Sequence, residues 1–193
     1  YWNKMSTSHL DSLFRPKSVA LIGADSKPLT LGHVAMKNLL SGGFYGPIMP
    51  VNPKLQAVLG VLTHPDVASL PITPDMGVIA SPAEEVAGHV AALGKRGTQA
   101  AVVLTSGFKA KTLAGRKLEA ELMEQAAKYQ VRILGPDCMG MLIPSAGLNA
   151  SLAPSKAQSG RVAFVSQSDA LCTAVLDHAT ANGIGFSHFI SLG

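Results

Sequence analysis

Ser18-Val19-Ala20-Leu21-Ile22-Gly23 is a short, apolar, β-branched run that ends in glycine, and its reading decides the fold class. Such a run keeps no polar face for solvent, so it predicts a strand covered on both faces, as in a parallel sheet. A loop from Ala24 to Leu31 leads to Gly32. His33–Leu40 then places Val34, Leu39 and Leu40 near one face of a helix that Ser41-Gly42-Gly43 brings to a stop.

The same cycle repeats outward from this unit. Pro47–Val51 reads as a second strand, ended by Asn52-Pro53 because proline has no amide to give a ladder. Residues 56–74 read as a short strand and turns. Met76–Ala80 is a third strand, followed by a helix with Ser81 as N-cap, Pro82 in the first turn and Gly94 as the stop after Leu93. Ala100–Thr105 and Val131–Leu134 are further strands on either side of an amphipathic helix over Thr112–Tyr129. Strands alternating with helices imply right-handed crossovers, and hence a doubly wound α/β fold with a parallel sheet. Pro144–Gly160 reads as a linker, after which Arg161–Val165, Asp169–Ala181 and Phe186–Leu192 begin a new strand-helix-strand cycle. Two strands and one helix cannot cover both faces of a parallel sheet, so the expectation is a piece of a longer protein.

Composition narrows the function classes. The 193 residues are 47% hydrophobic, 15% charged and 5% aromatic, as in a globular α/β protein. The net charge of +4 comes without the clustered Lys/Arg runs of a nucleic-acid surface, and it suits a small anionic ligand. No apolar run approaches the roughly 20 residues that span a bilayer. Cys138 and Cys172 form no CxxC pair, which points to a reduced, cytoplasmic protein. The histidines at 9, 33, 64, 89, 178 and 188 show no HxxH or HExxH spacing, so no metal site is expected.

In an open parallel sheet the strand C-termini and helix N-termini form one rim rich in unpaired amides, where anions bind. The candidate contacts along it are Gly23, Ala24, Asp25 and Ser26, then Gly32, Val51, Asn52, Pro53 and Lys54, then Ser81, Pro82 and Ala83, then Thr105, Ser106 and Gly107, and finally Asp137 and Cys138. Gly23 and Gly32 do not make a GxGxxG fingerprint, and Lys54 stands where NAD-binding domains usually carry an acid for the ribose diol. A cation there attracts a phosphorylated adenosine, either coenzyme A with its 3′-phosphate or NADP with its 2′-phosphate. Lys54 as a plain solvated lysine is the alternative, and an NADP-binding oxidoreductase domain stays open.

Over Leu10–Gly193 the chain resembles the NDP-forming acyl-CoA synthetases, relatives of the succinyl-CoA ligase α subunit. The stretches that carry the resemblance are residues 13–24 (Leu-Phe-Arg-Pro-Lys-Ser-Val-Ala-Leu-Ile-Gly-Ala), Pro50-Val51-Asn52-Pro53-Lys54, Gly135-Pro136-Asp137-Cys138-Met139-Gly140, Gly147-Leu148-Asn149-Ala150 and Ser166-Gln167-Ser168. The resemblance implies a Rossmann-like CoA-binding domain over residues 10–145. It also implies the start of a flavodoxin-like succinyl-CoA ligase domain over residues 146–193. Coenzyme A or acyl-CoA is then the ligand of the rim, and Ser166, Gln167 and Ser168 form a phosphate loop. ATP or ADP and Mg²⁺ are implied only through regions outside this chain, and no catalytic residue lies within it. In full-length members acyl-CoA, nucleoside diphosphate and phosphate become free acid, CoA and nucleoside triphosphate. No nucleic-acid or membrane partner is implied, and a homo-oligomer is compatible with the resemblance.

Within the family, Ala57–Val61, Pro65–Pro71 and Thr73–Asp75 look closest to bacterial chains fused to a GNAT-type N-acetyltransferase, some of them protein lysine acetyltransferases. In that case the region is a regulatory CoA-binding module. Two positions depart from the family pattern: Asp137 replaces an Asn, and Asp169 replaces a Gly after Ser166-Gln167-Ser168. A carboxylate at the start of that helix opposes a phosphate there, unless Asp169 turns away as a cap.

Overall fold

The computed structural model describes residues 8–108 and 112–193. After a short helix α1 (Leu10–Phe14) come β1 (Val19–Ile22), α2 (Leu31–Ser41) and β2 (Ile48–Val51). A small hairpin of β3 (Ala57–Val58) and β4 (Val61–Leu62) precedes β5 (Met76–Ile79), α3 (Ala83–Lys95), β6 (Ala100–Val103), α4 (Leu113–Tyr129) and β7 (Arg132–Leu134). The remainder is β8 (Gly140–Ile143), β9 (Leu148–Ser151), β10 (Ser159–Ser166), α5 (Asp169–Ala181) and β11 (Phe186–Ser191).

The first sheet has the order β2-β1-β5-β6-β7, with every neighbouring pair parallel. Every residue of β1, β5 and β6 is buried, as the unbroken apolar runs require. Alternate side chains serve two cores. Val19, Leu21, Met76, Val78, Ala100 and Val102 pack with Met36 and Leu39 of α2, while Ala20, Ile22, Ile79, Ala101 and Val103 pack with Val86, Val90 and Leu93 of α3 and Leu122 of α4. Chain order reverses beside β1, since β2 follows on one side and β5 on the other. That reversal creates a crevice at the strand C-termini.

Three expectations are corrected. α2 starts earlier than His33, at Leu31, because Thr30 is its N-cap and its side chain accepts from the His33 amide. α3 runs through Gly94 to Lys95; a Cβ on Gly94 would lie 2.3 Å from Cβ of Tyr129, so this glycine lets α4 approach rather than ending the helix. Residues 144–160 are no plain linker. Leu148–Ser151 is a fully buried strand, antiparallel to β8, and both join β11 and β10 in a second sheet of order β10-β11-β8-β9.

The second sheet rests on its own core of Met139, Leu142, Cys172, Leu176, Phe186 and Phe189, where Phe164 and Phe189 stack at 4.9 Å between ring centroids. Met141, Ile143, Leu148, Ala150 and Ile190 from this sheet also enter the α2-side core of the first one. The hairpin β8–β9 thus takes the covering place a further helix would otherwise fill.

Candidate functional site

The crevice at the chain reversal holds two cavities that share Gly23, Asp25, Ala80, Ser81 and Pro82. The larger, about 600 Å³, is walled by Val51–Lys54 after β2, by Pro65–Ala68, and by Pro82, Glu85, His89 and Ala92. The smaller, about 290 Å³, lies against Thr30–Gly32, Ala83, Thr105 and Ser106. Ligand pockets of small molecules commonly fall within about 300–1,000 Å³.

Gly23 and Gly32 make the crevice by being small. Gly23 has φ +81°, and a Cβ on it would stand 2.9 Å from the Ala80 backbone; a Cβ on Gly32 would stand 1.9 Å from the Gly23 carbonyl oxygen. The start of α2 can therefore pack onto the β1 loop, the service a fingerprint glycine gives, although the spacing is different.

Other rim residues hold the loops in place. Asn52 donates through Nδ2 to the Ala24 carbonyl at 2.7 Å and accepts at Oδ1 from the amides of Lys54 and Leu55. The Thr105 hydroxyl donates to the Ser81 carbonyl at 2.7 Å, tying the loop after β6 to the loop after β5. Ser81 is not the N-cap of α3. Pro82 holds that position, so no side chain caps the helix, and the Glu85 amide donates to the Pro82 carbonyl at 3.0 Å. The Ser81 Oγ is buried without a hydrogen-bond partner, on a residue only 6% exposed that lines both cavities. A buried hydroxyl without a partner calls for a physical account, and a polar group in the adjoining cavity is one that would supply it.

Charge sharpens the picture. Asp25, Lys54, Asp66, Glu85 and His89 are the charged or titratable residues around the larger cavity. Asp25 accepts from the Lys27 amide, which chiefly holds its carboxyl below the usual range. Asp66 accepts from the Ser69 amide at 2.8 Å, and Glu85 lies 3.5 Å from His89 Nε2. Among the described residues, the Lys54 ammonium has no ion pair. It is the cation left to meet an anion.

The remaining candidates lie apart from the cavities. Ala24 is fully buried in the core, and Ser26 is exposed on its loop. Gly107 donates its amide to Asp137 Oδ1 at 3.1 Å, and Asp137 has φ +57°, a conformation that Asn and Asp tolerate best after glycine. An aspartate therefore performs here the backbone task an asparagine would. Cys138 is 2% exposed, and burial pushes its thiol up to about 12, so it packs rather than reacts. Ser166, Gln167 and Ser168 precede α5 on the second sheet and line neither cavity; Ser168 is the N-cap, accepting from the Leu171 amide. Asp169 neither caps α5 nor stands free. Its Oδ1 accepts from the Met139 amide and from the Ser191 hydroxyl, stitching α5 to β11 and the loop before β8.

The loop-by-loop reading missed Thr30, Pro65–Ala68, Glu85 and His89 as cavity residues. Thr30 had a signal, a hydroxyl directly before a helical pattern. Glu85 and His89 lie inside a helix, where only the strand order shows which face meets the crevice. Among the described residues, no three metal-ligating side chains gather, and no helix is long and apolar enough to cross a membrane.

Known proteins resemble the chain over most of its length. The chain is 40% identical to an ADP-forming acetate–CoA ligase I of Archaeoglobus fulgidus over 95% of its own length and 27% of that protein. It is 38% identical to the α subunit of the ADP-forming acetate–CoA ligase I of Pyrococcus furiosus, again over 95% of this chain, and 41% of the relative. The dinucleotide-forming acetyl-coenzyme A synthetase 1 of Ca. Korarchaeum cryptofilum, solved with phosphate and ADP, superposes with a TM-score of 0.89 at 40% identity, over 95% of this chain and 39% of that one. The chain thus spans well under half the length of these relatives. Residues 17–144 match the CoA binding domain family and residues 159–193 the succinyl-CoA ligase like flavodoxin domain, so the chain belongs to the CoA binding domain family.

Proposed function

We propose that this chain is the CoA-binding part of an NDP-forming acyl-CoA synthetase, an enzyme that converts acyl-CoA, nucleoside diphosphate and phosphate to acid, CoA and nucleoside triphosphate. The observation that carries the reading is the unpaired Lys54 ammonium beside a cavity at the chain reversal, with the orphaned Ser81 hydroxyl on the same wall. CoA presents anions at its diphosphate and its 3′-phosphate. Lys54 meets the 3′-phosphate, while the amides at the starts of α2 and α3 and the Ser81 hydroxyl meet the phosphates nearer Gly23. Binding here positions the thioester end for chemistry, which the rest of a full-length enzyme would complete with ATP or ADP and Mg²⁺.

The amide-rich start of α5, with Ser166, Gln167 and Ser168, is proposed to receive a phosphoryl group. Because the Asp169 carboxylate is engaged by Met139 and Ser191, its charge is held by the scaffold rather than offered to that group. The same reading divides the chain into residues 10–145 and 146–193 and places it in the cytoplasm, where its two buried free cysteines stay reduced.

Calorimetric titration of the 193-residue chain with CoA, acetyl-CoA, 3′-dephospho-CoA, NADP and NAD tests the proposal. CoA should bind, and both the dephospho form and Lys54→Ala should lose about tenfold or more, as expected for a charge-assisted contact of roughly 1.5–3 kcal/mol. Tight NADP binding without CoA binding would make this an oxidoreductase domain instead.

A further inference from the structure

Pro82, Glu85, His89 and Ala92 all line the larger cavity, and their 3, 4, 3 spacing puts them on one face of α3. That face extends about 15 Å from the helix start at 1.5 Å per residue, longer than phosphate contacts alone need. Ser81 lies beside the helix start, and Pro65, Val67, Ala68 and Ala92 give the cavity small apolar surfaces, with Asp66 among them held by the Ser69 amide. His89 is the only aromatic ring among the residues lining this cavity, its side chain 29% exposed, and Glu85 lies 3.5 Å from it.

A flat, weakly polar ring system suits such a wall, with one face against an imidazole and an edge against a carboxylate. Adenine is of that kind: it offers a stacking face and an exocyclic amino donor at N6. A carboxylate accepts several hydrogen bonds, so Glu85 can receive this amino group while it keeps His89 oriented. We infer that His89 and Glu85 read the nucleobase of the bound cofactor, His89 as the stacking platform and Glu85 as the acceptor for the adenine amino group. The inference rests on the CoA reading above. It makes two residues inside a helix determinants of base specificity, while Lys54 and Ser81 serve the phosphates.

Titrations of the full chain with CoA and with 1,N6-etheno-CoA, whose amino group is blocked, test it. The wild type should bind CoA about tenfold more tightly than the etheno form. Glu85→Gln should reduce that preference. His89→Ala should weaken CoA binding about tenfold, and His89→Phe, which restores a platform, should keep it within about threefold of wild type. Equal binding of CoA and etheno-CoA by the wild type, or equal CoA affinity for the Ala and Phe variants, would overturn the base-reading role while leaving the CoA reading intact. Failure of the wild type to bind CoA at all would overturn both.

Discussion

β1 and β10 both open a strand-loop-helix unit with a parallel neighbour, yet all four residues of β1 are buried while most of β10 is exposed. β1 sits between β2 and β5 with α2 and the β8–β9 hairpin on one face and α3 and α4 on the other. β10 lies at the edge of its sheet, with Val162 and Val165 about half exposed at 49% and 54%. The local pattern is the same; the number of covering layers is not. Within these 193 residues burial therefore follows the covering layers that the chain itself supplies, and in this chain the two strands should respond differently to the same kind of change.

The largest contrast should come from paired substitutions. Leu21→Ala, at a fully buried site on β1, should cost about 2–5 kcal/mol in denaturant unfolding, whereas Val165→Thr on β10 should stay within about 0.5 kcal/mol. Similar costs for both would mean that β10 is covered and would break the comparison. The next largest is Arg96→Ala. Arg96 donates to the carbonyls of Ala68 and Leu70 at 2.6 and 2.9 Å, fastening the loop that walls the larger cavity, so its loss should cost up to about 1.5–3 kcal/mol and weaken CoA binding. Parallel thermal melts and titrations check both.

Gly32→Ala should cost about 1–3 kcal/mol and lower CoA affinity, because its Cβ would meet the Gly23 carbonyl; Gly183→Ala after α5, where open space surrounds the glycine, meets only backbone strain at φ +65° and should leave CoA affinity unchanged. The smallest effect concerns pH. The Lys27 amide keeps the Asp25 carboxyl below its ordinary 3.8, so the stability it gives is present above that value and fades as pH falls through the lowered one. Asp25→Asn should flatten this acid limb slightly in melts from pH 7 to pH 3, by less than any change above, since the side chain is largely solvated.

What the residues decide on their own is local. The apolar run before Gly23, the stop at Gly42-Gly43, the strand-helix alternation and the rim of strand ends all follow from periodicity and turn chemistry acting over a few neighbours. The short strands Gly140–Ile143 and Leu148–Ser151 were hidden because Pro144, Ser145 and Gly147 between them read as loop, and because antiparallel partners in one hairpin show only when both are seen. Gly94 was misread for a related reason: a glycine that admits a neighbouring helix and one that ends its own helix look alike in sequence.

What only the tertiary structure decided is convergence. Strand order β2-β1-β5 brings Lys54, Ser81 and Gly23 to one crevice, turns the Glu85–His89 face of α3 toward it, and sends Ser166–Ser168 to the other sheet. The physical reason is that sheet order and helix-face choice are set by burying two faces at once. That requirement couples residues far apart in the chain, and no short window of sequence contains it.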